Sequence, residues 1–320
     1  MTRTALRLVR EFRLEGRGVH DGEHGSVRVR PGRRGQGWRA GRGHATVAVR
    51  PELAIIGRQR STAIRVPGGA VRTVEHLLAA LAGCGVRDVV LEFEGPEVPI
   101  LDGSARPWVE AIRENAEEEG TESGRASRKG RALRPARGAF GEERALRPAQ
   151  GPFGEGHRGE GGRQEGVGFR MRCEGATYRV EPAERFSAVV EITGPYPRLG
   201  VQRAGWDGEP GSFARDVAPA RTFALLEEVA ALRAAGLAKG GGLDCAVVLG
   251  PDGPLGGPLR FPDEPVRHKL LDLIGDVALL GTLPPVRIAA RAPFHEANRV
   301  LATALGSRSG YGPVSTQNKR

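Results

Sequence analysis

Three polar residues, His268, Asp272 and Asp276, stand four apart in the segment 263–281 (DEPVRHKLLDLIGDVALLG), whose other residues from 270 onward are apolar or glycine. On a helix, positions four apart stack on one face, a turn above each other. Leu270, Leu271, Leu273, Ile274, Val277, Leu279 and Leu280 cover the rest of the circumference, so the helix is expected to be buried on most sides. A buried carboxylate is costly unless it is paired or ligates a metal. His268 and Asp272 are therefore placed to share one cation. A His–Asp hydrogen bond that merely pairs the two is the plainer alternative, and this spacing alone does not decide against it.

A second pair changes the balance. Glu75–His76 opens another apolar helix, expected over 73–82, beside the stripe of Val74, Leu77, Leu78 and Leu81, with Gly83 and Gly85 closing it. A third N/O ligand from a separate segment leaves one position of a tetrahedral ion open for water, as catalytic zinc requires. Such an ion lowers the pKa of its water to about 7. An adjacent carboxylate, Glu75, can then take the proton. A helix-start residue favoured by the macrodipole would account for the glutamate, though not for the histidine beside it.

The elements that must position these groups fall into two halves. In the first, 26–30 and 45–50 alternate in the strand period, 87–93 reads as a buried strand, 95–103 as a Pro/Gly loop, and a helix begins at 107. In the second, strands are expected at 169–173, 177–181, 186–193, 245–249 and 286–291. Helices are expected at about 222–235, 263–281 and 295–305, with a glycine turn at 240–242. Each half thus has strands followed by an apolar helix that carries His. The fold class that follows is α+β: two similar domains, 1–115 and 169–307, each a small β-sheet layered with helices.

Between them, 116–168 is rich in Arg, Gly and Glu and repeats itself, RALRPARGAFGE at 131–142 and RALRPAQGPFGE at 144–155. So little branched aliphatic surface cannot offset ordering entropy, and a disordered insertion is expected, as is a flexible tail at 308–320. The net charge of +10 comes mostly from arginines spread along the chain. That spread points to coding bias rather than a nucleic-acid surface, and no nucleic-acid partner is expected. Cys84, Cys173 and Cys245 form no pairable framework, no apolar run suits a membrane span, and the N-terminus has no signal-like core. A cytoplasmic protein without stable membrane insertion is expected.

Segments 73–105, 220–249 and 259–281 resemble, in this order, the signature blocks of the bacterial UDP-3-O-acyl-N-acetylglucosamine deacetylases, which act in lipid A synthesis. GRGVHDG (16–22) is similar to that family's N-terminal glycine–histidine block, and FHEAN (294–298) to its H-x-x-N block. The resemblance implies a Zn2+ site, with Fe2+ as the alternative ion, held by His76, His268 and Asp272 between the two domains, with Glu75 as general base. It implies His295 as a cationic acid or oxyanion stabiliser, Asp276 as the carboxylate that orients it, and Thr222 as a hydrogen-bond donor to the oxyanion. Lys269 would give positive charge to the substrate site, Phe223 would pack on the sugar ring, and His20 would lie near the nucleotide. The implied partner is an acylated UDP-amino sugar, the implied reaction removal of its 2-N-acetyl group, and a monomer is expected.

The chain departs from the family pattern in a few places. Phe294 stands where the family has Gly before the catalytic histidine, with Pro293 restricting the backbone before it. Ala224–Leu225 and Lys239 replace more usual residues, and the insertion is long for a connection. These departures, together with the Arg-rich insert, motivate a second reading, a weakened homologue that binds a nucleotide sugar or an anionic partner. Retention of Glu75, His76, His268 and Asp272 argues against it.

Overall fold

The computed structural model describes residues 5–55, 60–119, 168–192 and 199–308. The first half contains β1 (Leu6–Leu8), β2 (Phe12–Arg17), β3 (His24–Pro31), β4 (Trp38–Arg42), β5 (Ala45–Ala48), β6 (Ile64–Val66) and β7 (Gly69–Val71). These are followed by α1 (Glu75–Gly83), β8 (Val89–Glu94), α2 (Arg106–Glu114) and β9 (Ala116–Glu118). The second half runs β10 (Phe169–Cys173), β11 (Ala176–Pro182), β12 (Ser187–Ile192), β13 (Gln202–Trp206), a short turn of helix α3 (Pro210–Ser212) and β14 (Phe223–Leu225). It continues with α4 (Leu226–Ala234), β15 (Val247–Gly250), β16 (Gly253–Leu255), α5 (Glu264–Val277), β17 (Val286–Arg291) and α6 (His295–Arg308).

The halves are built alike. One five-stranded sheet has the order β2-β3-β8-β4-β5 and the other β10-β11-β17-β12-β13. In both, the one parallel ladder joins the central strand, the last of its sheet in the chain, to its neighbour, β4 with β8 and β12 with β17. The other ladders of both sheets are antiparallel. In each half a buried helix, α1 or α5, precedes the central strand and another helix follows it. The expected pair of similar α+β domains is therefore present.

The strands present one face to the core in the period of two. Val89, Leu91 and Phe93 of β8 point inward, as do Val286, Ile288 and Ala290 of β17. Both helix layers meet at the centre, where α1 packs against α5. Gly275 permits this approach, because a Cβ there would collide with the main-chain carbonyl of Glu75. The result is one continuous hydrophobic core shared by both halves.

Several boundaries differ from the sequence expectation. Residues 223–225 are not the start of a helix but strand β14, paired in parallel with β15, and the helix begins at Leu226. A short apolar run of this kind fits either period, and here the ladder decides it. The long helix ends at Val277, passes through a 3-10 turn (Ala278–Leu280), and stops at Gly281 with φ 75°. Ala116–Glu118, at the start of the expected insertion, is a strand paired with β1. The rest of the insertion, apart from 119 and 168, and all of the tail except Arg308 lie outside the described residues. Strands β2, β4 and β13 were not expected, since arginine and glycine interrupt their apolar alternation.

Candidate active site

The polar line of α5 forms as its spacing suggested. His268, Asp272 and Asp276 are all buried in a helix otherwise enclosed by the core. His268 Nδ1 lies 3.0 Å from the carbonyl of Ala220. A carbonyl can only accept, so Nδ1 carries the proton and Nε2 keeps its lone pair, the arrangement a ligating imidazole needs. That Nε2 is 3.3 Å from Asp272 Oδ1.

From the other half, α1 brings His76 to the same point. Its Nε2 is 4.0 Å from Asp272 Oδ1, and its ring meets that of His268 edge-on at a centroid distance of 5.0 Å. Ligand atoms of His76, His268 and Asp272 lie within 4.8 Å of one another, so these residues form a metal-binding cluster. Asp272 Oδ1 is buried and has no hydrogen-bond partner, while Oδ2 accepts from Lys269 Nζ at 3.0 Å. An orphaned carboxylate oxygen facing two imidazoles fits a cation site, and the two-nitrogen, one-oxygen donor set suits zinc. Burial, with His268 as the next cause, pushes the His76 pKa down to about 3, so the imidazole is neutral. Burial opposes the charge on Asp272, but His268, Lys269, His295 and His76 together hold it well below the usual carboxylate range.

Glu75 sits one residue before His76 at the first position of α1, fully enclosed. Its Oε2 accepts the main-chain N–H of Thr62 at 3.0 Å, and its Oε1 lies 3.9 Å from His295 Nε2. Burial, and then the nearby Asp276 and Asp272, raise its pKa to about 8. The turn into α1 is strained: Thr73 has φ 57°, an unusual value for a β-branched residue. Its hydroxyl donates to Glu97 Oε1 at 2.5 Å, and the other Glu97 oxygen accepts the N–H groups of His20 and Asp21. One buried glutamate thus fixes both the entry to α1 and the loop that carries His20.

His295 opens α6, and its Nδ1 is 3.0 Å from Asp276 Oδ2, with Nε2 3.8 Å from Asp272 Oδ2. Burial disfavours its charge, but Asp276, Asp272 and Glu75 outweigh burial and raise its pKa to about 9. Asp276 also accepts the Thr62 hydroxyl and, at 2.9 Å, the Asn298 amide, whose own oxygen takes the Tyr178 hydroxyl at 2.7 Å. Phe294 packs against the main core, and His295 is within the cluster despite it. Phe294, one of the departures behind the weakened-homologue reading, therefore does not take His295 away from Glu75, Asp272 and Asp276.

Of the remaining candidates, Phe223 and Lys269 lie against this centre. The Phe223 ring stands edge-on to His268 at 6.3 Å, with Lys269 Nζ 5.7 Å from its centroid. Thr222 is pinned by its main chain, donating to the Gly103 carbonyl and accepting from Val247, both at 2.8 Å. His20 Nδ1 is buried without a partner, and burial followed by Arg72 lowers its pKa to about 4. Sequence reasoning gave no role to Thr62, Tyr178 or Asn298. Asn298 was visible in the H-x-x-N spacing, one helical turn beyond His295. The other two carry no local signal, because only the tertiary fold brings Thr62 to Asp276 and Tyr178 to Asn298.

A family model described as UDP-3-O-acyl N-acetylglycosamine deacetylase matches residues 6–141 and 166–307. The chain is 35% identical over 297 residues to the UDP-3-O-acyl-N-acetylglucosamine deacetylase of Thermosynechococcus vestitus, covering 92% of this chain and 90% of that protein. It is 36% identical over 299 residues to the enzyme of the same name from a Nostoc species, covering 91% and 94%. The Myxococcus xanthus protein of that name is 33% identical over 311 residues, covering 92% and 83%.

Proposed function

This chain belongs to the UDP-3-O-acyl-N-acetylglucosamine deacetylase family, and on that premise we propose that it hydrolyses the 2-acetamido group of a UDP-3-O-acyl-N-acetylglucosamine. The products are acetate and the free amine, and the step belongs to lipid A biosynthesis. The observation that carries this reading is the convergence of Glu75 and His76 with His268, Asp272 and His295, from two separate halves, in one buried cluster.

His76, His268 and Asp272 would hold Zn2+, with Fe2+ as the alternative ion. When bound, the ion supplies Lewis-acid polarisation of the amide carbonyl and of water. Glu75 takes a proton from the attacking water. Its enclosed position makes the carboxylate a stronger base than an exposed one, and a neighbouring divalent cation favours its ionised form. His295, kept charged by Asp276, gives a proton to the leaving nitrogen. Thr222 donates its hydroxyl to the developing oxyanion, and Lys269 adds positive charge to the same region. Phe223 lies against the sugar, and the unpaired His20 nitrogen is offered to the nucleotide.

Among the described residues no helix is long and apolar enough to cross a membrane. We read the protein as a cytoplasmic monomer that takes an acylated UDP-amino sugar. The segments before 116 and from 169 to 307 act as the two deacetylase domains, and the insertion between them acts only as a tether beyond β9. Acetate release from the acylated UDP-sugar by the wild type and by Glu75→Gln tests the reading. A fall of about 100-fold or more in the variant supports it, and equal rates remove Glu75 from the mechanism.

A further inference from the structure

We propose that Thr62 is a positioning residue of the active site, fixing the base arm at Glu75 and the acid arm at Asp276–His295 in one relation across the two halves. Thr62 lies in the first half, between the 3-10 turn Pro51–Leu53 and β6, and is completely buried. Its main-chain N–H donates to Glu75 Oε2 at 3.0 Å, and its carbonyl accepts the N–H of Val74, the residue before α1, at 3.2 Å. Its hydroxyl donates to Asp276 Oδ1, on α5 of the other half. The same hydroxyl oxygen lies 3.5 Å from His295 Nδ1.

The valences account for the arrangement. Asp276 is sealed from solvent, so each carboxylate oxygen needs a donor. Oδ2 takes His295 Nδ1–H and the Asn298 amide, and Oδ1 takes the Thr62 hydroxyl proton. With that proton committed, the lone pairs of the Thr62 oxygen remain on the side of the His295 N–H. Asp276 and Thr62 therefore border one imidazole nitrogen together, and its opposite nitrogen stays directed at Glu75 and Asp272. Without the hydroxyl, Oδ1 is unsatisfied, the carboxylate is free to turn, and the ring loses a restraint. The grip on Glu75 comes from the main chain and survives any non-proline substitution, so side-chain changes read the acid arm separately.

The kinetic readout rests on the deacetylase reading; the spectroscopic one does not. Full-length, zinc-loaded wild type is compared with Thr62→Val, which keeps the shape and removes the hydroxyl, and with Thr62→Ser, which restores it. Thr62→Val is expected to lose about 10- to 100-fold in kcat, with KM changed by no more than about twofold, and Thr62→Ser to recover most of that loss. The downfield proton signal of His295 Nδ1–H, assigned by its disappearance in His295→Gln, is expected to shift or broaden in Thr62→Val and to persist in Thr62→Ser. If Thr62→Val does not fold, Thr62→Ala is carried through both measurements. Wild-type kcat with an unchanged signal in the hydroxyl-free variant overturns the proposal, as does a loss that serine fails to rescue. An inactive wild type defeats the deacetylase reading instead, and the imidazole signal alone then decides the role of Thr62.

Discussion

Gly275 of α5 lies directly against the main-chain carbonyl of Glu75 in α1, with no room for a side chain between them. This contact brings the base and the first histidine within reach of the ligands on α5. The halves are joined at their chemistry, not beside it. Gly275→Ala must separate the helices or strain one of them, at a cost of about 1–3 kcal/mol. Urea melts should show that loss, and metal stoichiometry should fall with it, because His76 moves away from His268 and Asp272. Unchanged stability and metal content would mean that the helices pack with slack.

The orphaned oxygen of Asp272 predicts how the metal site responds to mutation. His76→Ala and Asp272→Ala each remove a ligand of a three-residue set. Purified variants should carry well under stoichiometric zinc when measured by elemental analysis, against about one ion per chain in the wild type. Full retention by His76→Ala would remove that residue from the site.

Glu264 at the start of α5 accepts from Arg221 Nε at 2.9 Å and from the main chains of Arg221 and Arg260. Burial disfavours its charge, but these donors outweigh burial and hold its pKa below the ordinary value of 4.5. A depressed folded pKa gives stability that is present above the unfolded value and is lost as pH falls through the folded one. Urea melts from pH 7 down to pH 3 should therefore show a steeper acid loss in the wild type than in Glu264→Gln. Near neutral pH, Glu264→Ala should cost about 3–5 kcal/mol, because it leaves a largely buried guanidinium unpaired.

Tyr178 supports the acid arm from a strand of the second sheet, through Asn298. Tyr178→Phe leaves the buried Asn298 oxygen without its donor, which costs about 1–3 kcal/mol. The thermal midpoint should fall accordingly. An unchanged midpoint would show that the amide finds another partner.

The legible part of this molecule was its helical chemistry. Asp272 and Asp276 follow His268 at helical spacing inside an apolar stretch, so the sequence shows one polar face on a buried cylinder. Glu75–His76 was legible for the same reason, as polar residues at the mouth of an apolar helix. The sheets were harder to read. β2 (FRLEGR) and β4 (WRAGR) carry arginine and glycine where the strand period wants apolar residues, and only their ladders identify them. Phe223–Leu225 read as helix because three apolar residues fit both periods. Thr62 and Tyr178 lay beyond local reasoning, because Thr62 reaches Asp276 and Tyr178 reaches Asn298 across long sequence separations.

The central claim is that the cluster of His76, His268, Asp272, Glu75 and His295 is a metal-dependent deacetylase centre. It is tested most directly by acetate release from UDP-3-O-acyl-N-acetylglucosamine, measured on the protein as purified, after chelation, and after stoichiometric zinc is restored. Release that stops on chelation and returns with zinc is the predicted result. Release that continues at the same rate in the chelated protein, or no release in any state, would contradict the claim.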